Sequence, residues 1–291
     1  MLKKTLFQLF LSTFSLFSFN FLHLLGKLLG NVLFLLLGRA KKVSQINISY
    51  CFPNKTQEFK KNLCKHSLIE TSKALLESPK VWNMAKKSES ISFITTNENL
   101  VRQSLNQNKG VIVFTPHLGN MELVVNYGGT KFNSIIPYRK AKIDFFEKKL
   151  KELREFSGAQ MVPTSLGGVR SILKSLKKGR VVIIASDQVP TNKKTGVLST
   201  FFGAPSLSTS LVQSLASSVG SPVFSLACIR KEGGLFEMKF SEEMSNFSHL
   251  TTQEGVDLMN KELEKCIMDA PEQYAWEYKK FKHSTLNDPY K

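Results

Sequence analysis

Two apolar runs, "VIVFT" at 111–115 and "VVIIA" at 181–185, constrain the fold of this chain more than any other feature. Each is a short block of β-branched and aromatic residues without polar alternation, the pattern of a strand buried on both faces, and such strands belong to sheets covered by helices on either side. Helical patterns flank them: 56–78, closed by Pro79; 141–157, closed by Gly158; 166–178; 207–220; and 252–270, opened by a Thr251/Glu254 capping box. Shorter strand patterns lie at 134–138, 160–162, 222–229 and 235–240, the last two joined by the turn "RKEGG". The alternation predicts an α/β fold, an αβα sandwich with a mainly parallel mixed sheet. Residues 41–291 show no repeat, low-complexity tract or linker and are read as one domain.

The first run ends in "PHLGNMEL". Pro116 stops the strand, Gly119 supplies a flexible position, and Asn120 is a good N-cap for a helix that starts with Met121 and carries Leu123, Val124 and Val125. His117 therefore stands on a strand-to-helix turn, where open α/β sheets bind ligands. Glu122 follows five residues later, in the first turn of the helix, close enough for a His–carboxylate contact. An isolated H-x4-E has a bland reading too, a turn histidine beside a solvated glutamate.

Other polar residues fall at the same end of the sheet. Asp187 and Gln188 follow the second apolar run, Arg139 follows the strand pattern at 134–138, and Arg154 lies on the helix after it. No G-x-S-x-G elbow or active cysteine signature accompanies them. A histidine, a carboxylate and arginines without a nucleophile suit direct group transfer to a hydroxyl, with histidine removing the proton. Bland readings stand beside each: Asp187 as a turn cap, Arg154 as a solvated side chain on a Lys/Glu-rich helix face.

Charge narrows the partners. Forty Lys and Arg against 23 Asp and Glu leave a formal +17, which points to a polyanionic partner such as nucleic acid, an anionic membrane, or an acidic substrate or carrier. Between Lys4 and Lys27, residues 5–26 have no charged side chain, long enough to span a bilayer. Gln8, Asn20 and His23 keep an interfacial helix open as well. Residues 1–40 are read as an uncleaved membrane anchor, with 41–291 as the catalytic domain. No helix-turn-helix, zinc-finger or RNP-like pattern supports nucleic acid as a partner. Cys51, Cys64, Cys228 and Cys266 have no C-x-x-C pairing or histidine at ligand spacing, so they read as buried thiols, and no metal or cofactor is expected.

"HLGNME", "PYRK", "KELREFSGAQMVP", "SDQ", "STFFGAPSLSTS" and "EKCIMDAPEQYAWEYKKFK", in this order, resemble the lipid A biosynthesis acyltransferases, the lauroyl and myristoyl transferases of Gram-negative bacteria. "INISYCFPN" and "LIETSKALLE" are similar to that family's N-terminal portion. The resemblance implies an inner-membrane enzyme with a cytoplasmic αβα domain, an acyl carrier protein thioester as donor, and the hydroxyl of an anionic glycolipid as acceptor. It also implies His117 and Glu122 as the catalytic pair and Arg154 in the substrate site, with Arg139 and Asp187 ranked lower. Glu122 is expected to hold the second ring nitrogen of His117. Gly119 and Asn120 are expected to offer N–H groups to the oxyanion, with Arg154 as the alternative donor. The chain departs from the family where Glu277, Tyr278, Lys279 and Lys280 follow Trp276 in place of a histidine and arginines. It carries no F-P-E-G-T-R block of the glycerophospholipid acyltransferases. The rival readings are transfer to another lipid acceptor, such as a lysophospholipid or aminolipid, and a non-catalytic membrane-surface protein.

Overall fold

The computed structural model describes residues 2–36, 38–107, 109–283 and 288–290. In chain order it contains α1 (Leu2–Phe14), α2 (Phe19–Leu35), α3 (Arg39–Cys51), α4 (Gln57–Lys86), β1 (Phe93–Thr96), α5 (Glu98–Leu105), β2 (Val111–Thr115), α6 (Met121–Phe132), β3 (Ile135–Tyr138) and α7 (Asp144–Glu155). It continues through β4 (Gln160–Pro163), α8 (Leu166–Leu176), β5 (Val181–Ala185), β6 (Gly196–Phe201), β7 (Ala204–Thr209), α9 (Leu211–Val219), β8 (Val223–Arg230), β9 (Phe236–Phe240) and α10 (Thr252–Met268).

Seven strands form one sheet in the order β1-β9-β8-β2-β5-β3-β4. It is parallel except for β8 against β9, the hairpin that the "RKEGG" turn announces. The apolar runs sit at its centre, β2 between β8 and β5. Ile112 and Phe114 of β2 enter one core with α8, α9 and α10, whereas Val111 and Val113 enter the other with α5 and α6. This explains the uninterrupted hydrophobicity of the strand, since both faces are covered.

Local signals hold at several boundaries. Thr251 and Glu254 form the reciprocal capping box, and the Asn120 side chain accepts from the Glu122 N–H to cap α6. All four cysteines are free and buried.

Elsewhere packing overrides local chemistry. Pro79 does not end a helix; it lies inside α4, which runs on to Lys86. A proline removes one backbone donor, here the N–H that would have met the Leu75 carbonyl, while Ser78 Oγ and Asn120 Nδ2 both donate to the neighbouring Ala74 carbonyl. Burial of residues on both sides of Pro79 keeps the helix whole. Residues 207–220 are not one helix either. The stretch up to Thr209 pairs with β6 in a separate antiparallel hairpin, and only Leu211–Val219 is helical. In "APSLSTS" the serines at 206, 208 and 210 alternate with Pro205, Leu207 and Thr209, a strand period that the helical reading absorbed.

The uncharged segment 5–26 is broken. Among the described residues no single helix is long and apolar enough to cross a membrane; α1 ends at Phe14 and α2 begins at Phe19. Ser12 and Ser15 donate to carbonyls three residues earlier, and Ser18 caps α2 by accepting from the Phe21 N–H. Serines that bond to nearby backbone compete with helix continuation, so this segment folds as two helices where one was expected. α2 packs along α4 by way of Gly26 and Gly30, where a Cβ atom would come within 2.7 Å of Lys73 Cα and 2.3 Å of Ile69 Cα. α1 meets α7 through Phe7, whose ring lies 6.5 Å from Phe145 and 5.1 Å from Phe146.

Candidate active site

Parallel pairing of β2 with β5 puts Thr115 opposite Ala185. Two residues further along each strand stand His117 and Asp187, and their side chains meet across the crevice. His117 Nδ1 lies 2.6 Å from Asp187 Oδ1, while the His117 backbone N–H donates to Asp187 Oδ2 at 3.1 Å. One carboxylate thus fixes both the ring and the turn that carries it. Asp187 is buried, whereas the His117 side chain keeps 29% of its exposure, enough for a substrate to reach the ring. With Nδ1–H directed at Asp187, Nε2 is the acceptor, and Gln188 Nε2 lies 3.2 Å from it. The orientation of that amide follows from the hydrogen-bond network.

Burial alone disfavours the imidazolium, but the Asp187 charge and hydrogen bond outweigh it and raise the His117 pKa. Asp187 moves the opposite way: desolvation pushes its carboxyl up, and the facing His117 more than reverses this.

Glu122 is placed differently from the expectation. Its carboxylate does not hold His117; it accepts from Arg154 Nη2 at 2.6 Å and Nε at 3.0 Å, and from Trp82 Nε1 at 2.8 Å. The reason is geometric. His117 precedes the positive-φ residue Gly119, which turns the chain, and Glu122 leaves the first turn of α6 on the side of α4 and α7. Arg154, from α7, is part-buried there and pairs with the motif carboxylate. Arg139 is exposed beyond β3, near enough to Tyr278 and Lys282 to interact with them electrostatically, and makes no contact with the His117 ring among the described hydrogen bonds.

The turn itself is clamped by the C-terminal segment. Gly119 N–H donates to the Gln273 carbonyl at 2.9 Å, Ala275 N–H donates to the His117 carbonyl at 3.0 Å, and Leu118 bridges Tyr274. Gly119 has φ +64°, and a Cβ there would stand 2.3 Å from the Cys228 carbonyl oxygen, so this position requires glycine. Because its N–H is occupied by Gln273, Gly119 is not available as an oxyanion donor. Asn120 is buried and caps α6, with its amide nitrogen donating to Glu77 Oε2 at 3.0 Å.

Sequence reading missed Trp82 and Glu77 as site residues; both come from α4, where Glu77 closes the "LIETSKALLE" block without any pattern that marks it as part of a site. Lys280, which stands in the lysine-rich stretch after Trp276, does not lie at the surface. Lys280 is buried, 4.7 Å above the Phe201 ring and 3.4 Å from Ser208 Oγ, and burial pushes its ammonium down to about 8.

An open α/β sheet with a histidine–carboxylate pair at adjoining strand ends, with no serine or cysteine bonded to the histidine among the described residues, suits group transfer. The chain belongs to the bacterial lipid A biosynthesis acyltransferase family, whose profile matches residues 3–283, and it is an acyltransferase. It is 26% identical over 260 residues to the lipid A biosynthesis palmitoleoyltransferase of Escherichia coli K12, covering 89% of this chain and 84% of that protein. It is 23% identical over 267 residues to the lipid A biosynthesis lauroyltransferase of the same strain, covering 90% and 85%. A lipid A biosynthesis acyltransferase of Haemophilus influenzae matches at 23% over 244 residues, 80% of this chain and 73% of that protein.

Proposed function

We propose that this enzyme transfers a fatty acyl chain from an acyl carrier protein thioester to a hydroxyl of a lipid A precursor, with His117 as general base. The His117–Asp187 pair at the β2 and β5 ends carries this reading, because it leaves Nε2 as the acceptor of a partly exposed ring whose pKa is raised. The acceptor hydroxyl takes the position of the Gln188 amide, its oxygen attacks the thioester carbonyl carbon, and its proton passes to Nε2. The carbon–sulfur bond then breaks, and the imidazolium returns that proton to the leaving thiolate. No acyl-enzyme forms. Asp187 fixes the tautomer and stabilises the imidazolium, the role expected of Glu122 from the motif. Glu122 instead holds the Arg154 fork, leaving the Nη1 edge for an anionic or carbonyl group of the substrate. With Gly119 occupied, the Asn120 N–H at the start of α6 is the proposed backbone donor to the oxyanion.

Attachment to the bacterial inner membrane from its cytoplasmic side is part of the same proposal, through an interfacial surface. Leu6 and Leu9 of α1, Leu16 between the helices, and Leu24 and Leu28 of α2 are exposed, along with Ile143 ahead of α7. Exposed Lys3, Lys4, Lys140, Lys142 and Lys148 border this apolar face and match an anionic leaflet. The acidic surface expected of a carrier protein fits the same excess charge.

The test is incubation of the full-length protein with a carrier protein charged with a medium or long acyl chain, with either a tetra-acyl lipid A precursor or lysophosphatidic acid. Mass spectrometry should show one added acyl chain on the glycolipid, dependent on His117. Acylation of lysophosphatidic acid alone would replace the acceptor, and full activity in a folded His117→Ala protein would remove the base.

A further inference from the structure

Beneath the catalytic turn lies a buried polar cluster that the chemistry above does not use. The Glu77 side chain, from α4, is fully buried. His23 Nε2, from α2, lies 2.6 Å from Glu77 Oε1, and Arg230 reaches both carboxylate oxygens, Nε to Oε1 and Nη2 to Oε2 at 2.8 Å. Glu77 Oε2 also accepts from Asn120 Nδ2 at 3.0 Å, and the other end of that amide accepts from the Glu122 N–H at 2.9 Å. Burial raises the Glu77 pKa, but the Arg230 charge and the hydrogen bonds from Arg230, His23 and Asn120 reverse this and hold it at about 2, so the carboxylate stays ionised. Arg230 closes a second path to the turn. The Gln273 side chain brackets it, accepting from the Arg230 N–H at 2.7 Å and donating to its carbonyl at 2.9 Å, and the Gln273 carbonyl accepts from Gly119.

His23 reaches this cluster because α2 lies unusually close to α4. Leu22, Gly26 and Gly30 form the buried face of α2, and the two glycines let the backbones approach. Leu24 and Leu28 point the other way, to the surface proposed for the bilayer.

We propose that His23 and Glu77 are positioning residues for acyl transfer: a His23–Glu77–Asn120 relay ties α2 to the catalytic turn, making the N-terminal helix a working part of the site as well as its attachment. The relay sets the Asn120 side chain, and with it the start of α6 and the N–H assigned to the oxyanion. This rests on the reading of His117 and Asn120 given above.

Small shifts in such a turn lower the chemical step more than binding. In the full-length enzyme, His23→Ala should lower kcat about tenfold, with KM for both substrates and vesicle binding within twofold of wild type. His23→Gln keeps an N–H donor on a longer amide arm and should recover most of kcat. A cleft of 320 Å³ opens onto His23 between Asn20, Lys73 and Arg230, so added imidazole should rescue His23→Ala. Glu77→Gln, which keeps the shape and removes the charge, should also lose kcat. A His23→Ala kcat within twofold of wild type overturns the proposal, and so does a loss confined to vesicle binding. If His23→Ala is less thermally stable, imidazole and His23→Gln decide: recovery of kcat without recovery of Tm supports positioning, and no recovery by either overturns it. Failure of the function reading looks different, since wild type would then transfer no acyl chain to either acceptor.

Discussion

Arg154 grips Glu122 through two nitrogens, Nη2 at 2.6 Å from Oε1 and Nε at 3.0 Å from Oε2, so the carboxylate of the H-x4-E motif serves an arginine in place of the histidine five residues before it. The Glu122 side chain is 10% exposed and that of Arg154 24%, which makes the pair sensitive to loss of either partner. Glu122→Ala should destabilise the protein by about 3 kcal/mol, because it strands a part-buried guanidinium and the Trp82 N–H. Arg154→Ala should cost less after Glu122 is already gone. Urea unfolding of the two single variants and the double variant measures this, and strict additivity would show the pair to be uncoupled.

The pH profile follows from the His117–Asp187 pair. A general base must be neutral, and His117 has a raised pKa, so the acid limb of kcat/KM should lie above the usual histidine value of about 6.5. Asp187→Asn removes the main raising influence and should move that limb to lower pH while reducing kcat. The stability signs run in the same direction. The ionised pair contributes fully between the ordinary Asp value of about 3.8 and about 6.5, and the contribution is lost as pH falls through the depressed Asp187 pKa and as pH rises through the raised His117 pKa. An acid limb unchanged in Asp187→Asn would argue against this assignment.

Gly119→Ala should inactivate more than it unfolds. The added methyl meets the Cys228 carbonyl, and the φ of +64° is strained for alanine, so the turn carrying His117 must move. A kcat loss of about a hundredfold with a circular dichroism spectrum like wild type is expected.

Membrane attachment should be separable from folding. Leu24→Gln combined with Leu28→Gln removes exposed apolar surface from α2 without touching its buried face. The partition constant onto anionic vesicles, read by sedimentation, should fall about a hundredfold or more while Tm stays constant, since moving two leucine side chains from water into lipid is worth about 3 kcal/mol. Unchanged sedimentation would place the lipid contact elsewhere.

Lys280→Met should stabilise the protein at neutral pH. A lysine whose folded pKa is lowered to about 8 imposes a cost that is fully present below that value and fades as pH rises toward 10.5. Methionine keeps the stem and removes the buried charge, for a gain of about 2 kcal/mol at pH 7. Thermal unfolding at pH 7 and pH 10 tests it, with the difference shrinking at the higher pH.

Legibility in the sequence followed the range of the physics involved. β2, β5 and the capped start of α6 were readable because buried strands and N-caps are local signals, and the equal offset of His117 and Asp187 from their strands hinted at a shared crevice. The choice between Asp187 and Glu122 as the partner of His117 was not local. It depends on which strand pairs with β2 and on where α7 brings Arg154, and neither is encoded near the histidine. The burial of Lys280 was equally out of local reach, since nothing in a lysine-rich stretch shows that Phe201 and Ser208 close over one of its members. Gly26 and Gly30 were present as a spacing of four in an apolar segment, yet their meaning lay in Ile69 and Lys73 on another helix.

The clamp on the catalytic turn also fixes when the enzyme comes into being. His117, Leu118 and Gly119 are held by Gln273, Tyr274 and Ala275, which leave the ribosome after most of the chain has been made. Until those residues dock, the histidine has no settled turn to stand on, so under the proposed membrane contact α1 and α2 would be free to meet a bilayer before the site is assembled. Assembly of the turn is therefore expected to await the docking of residues 273–275.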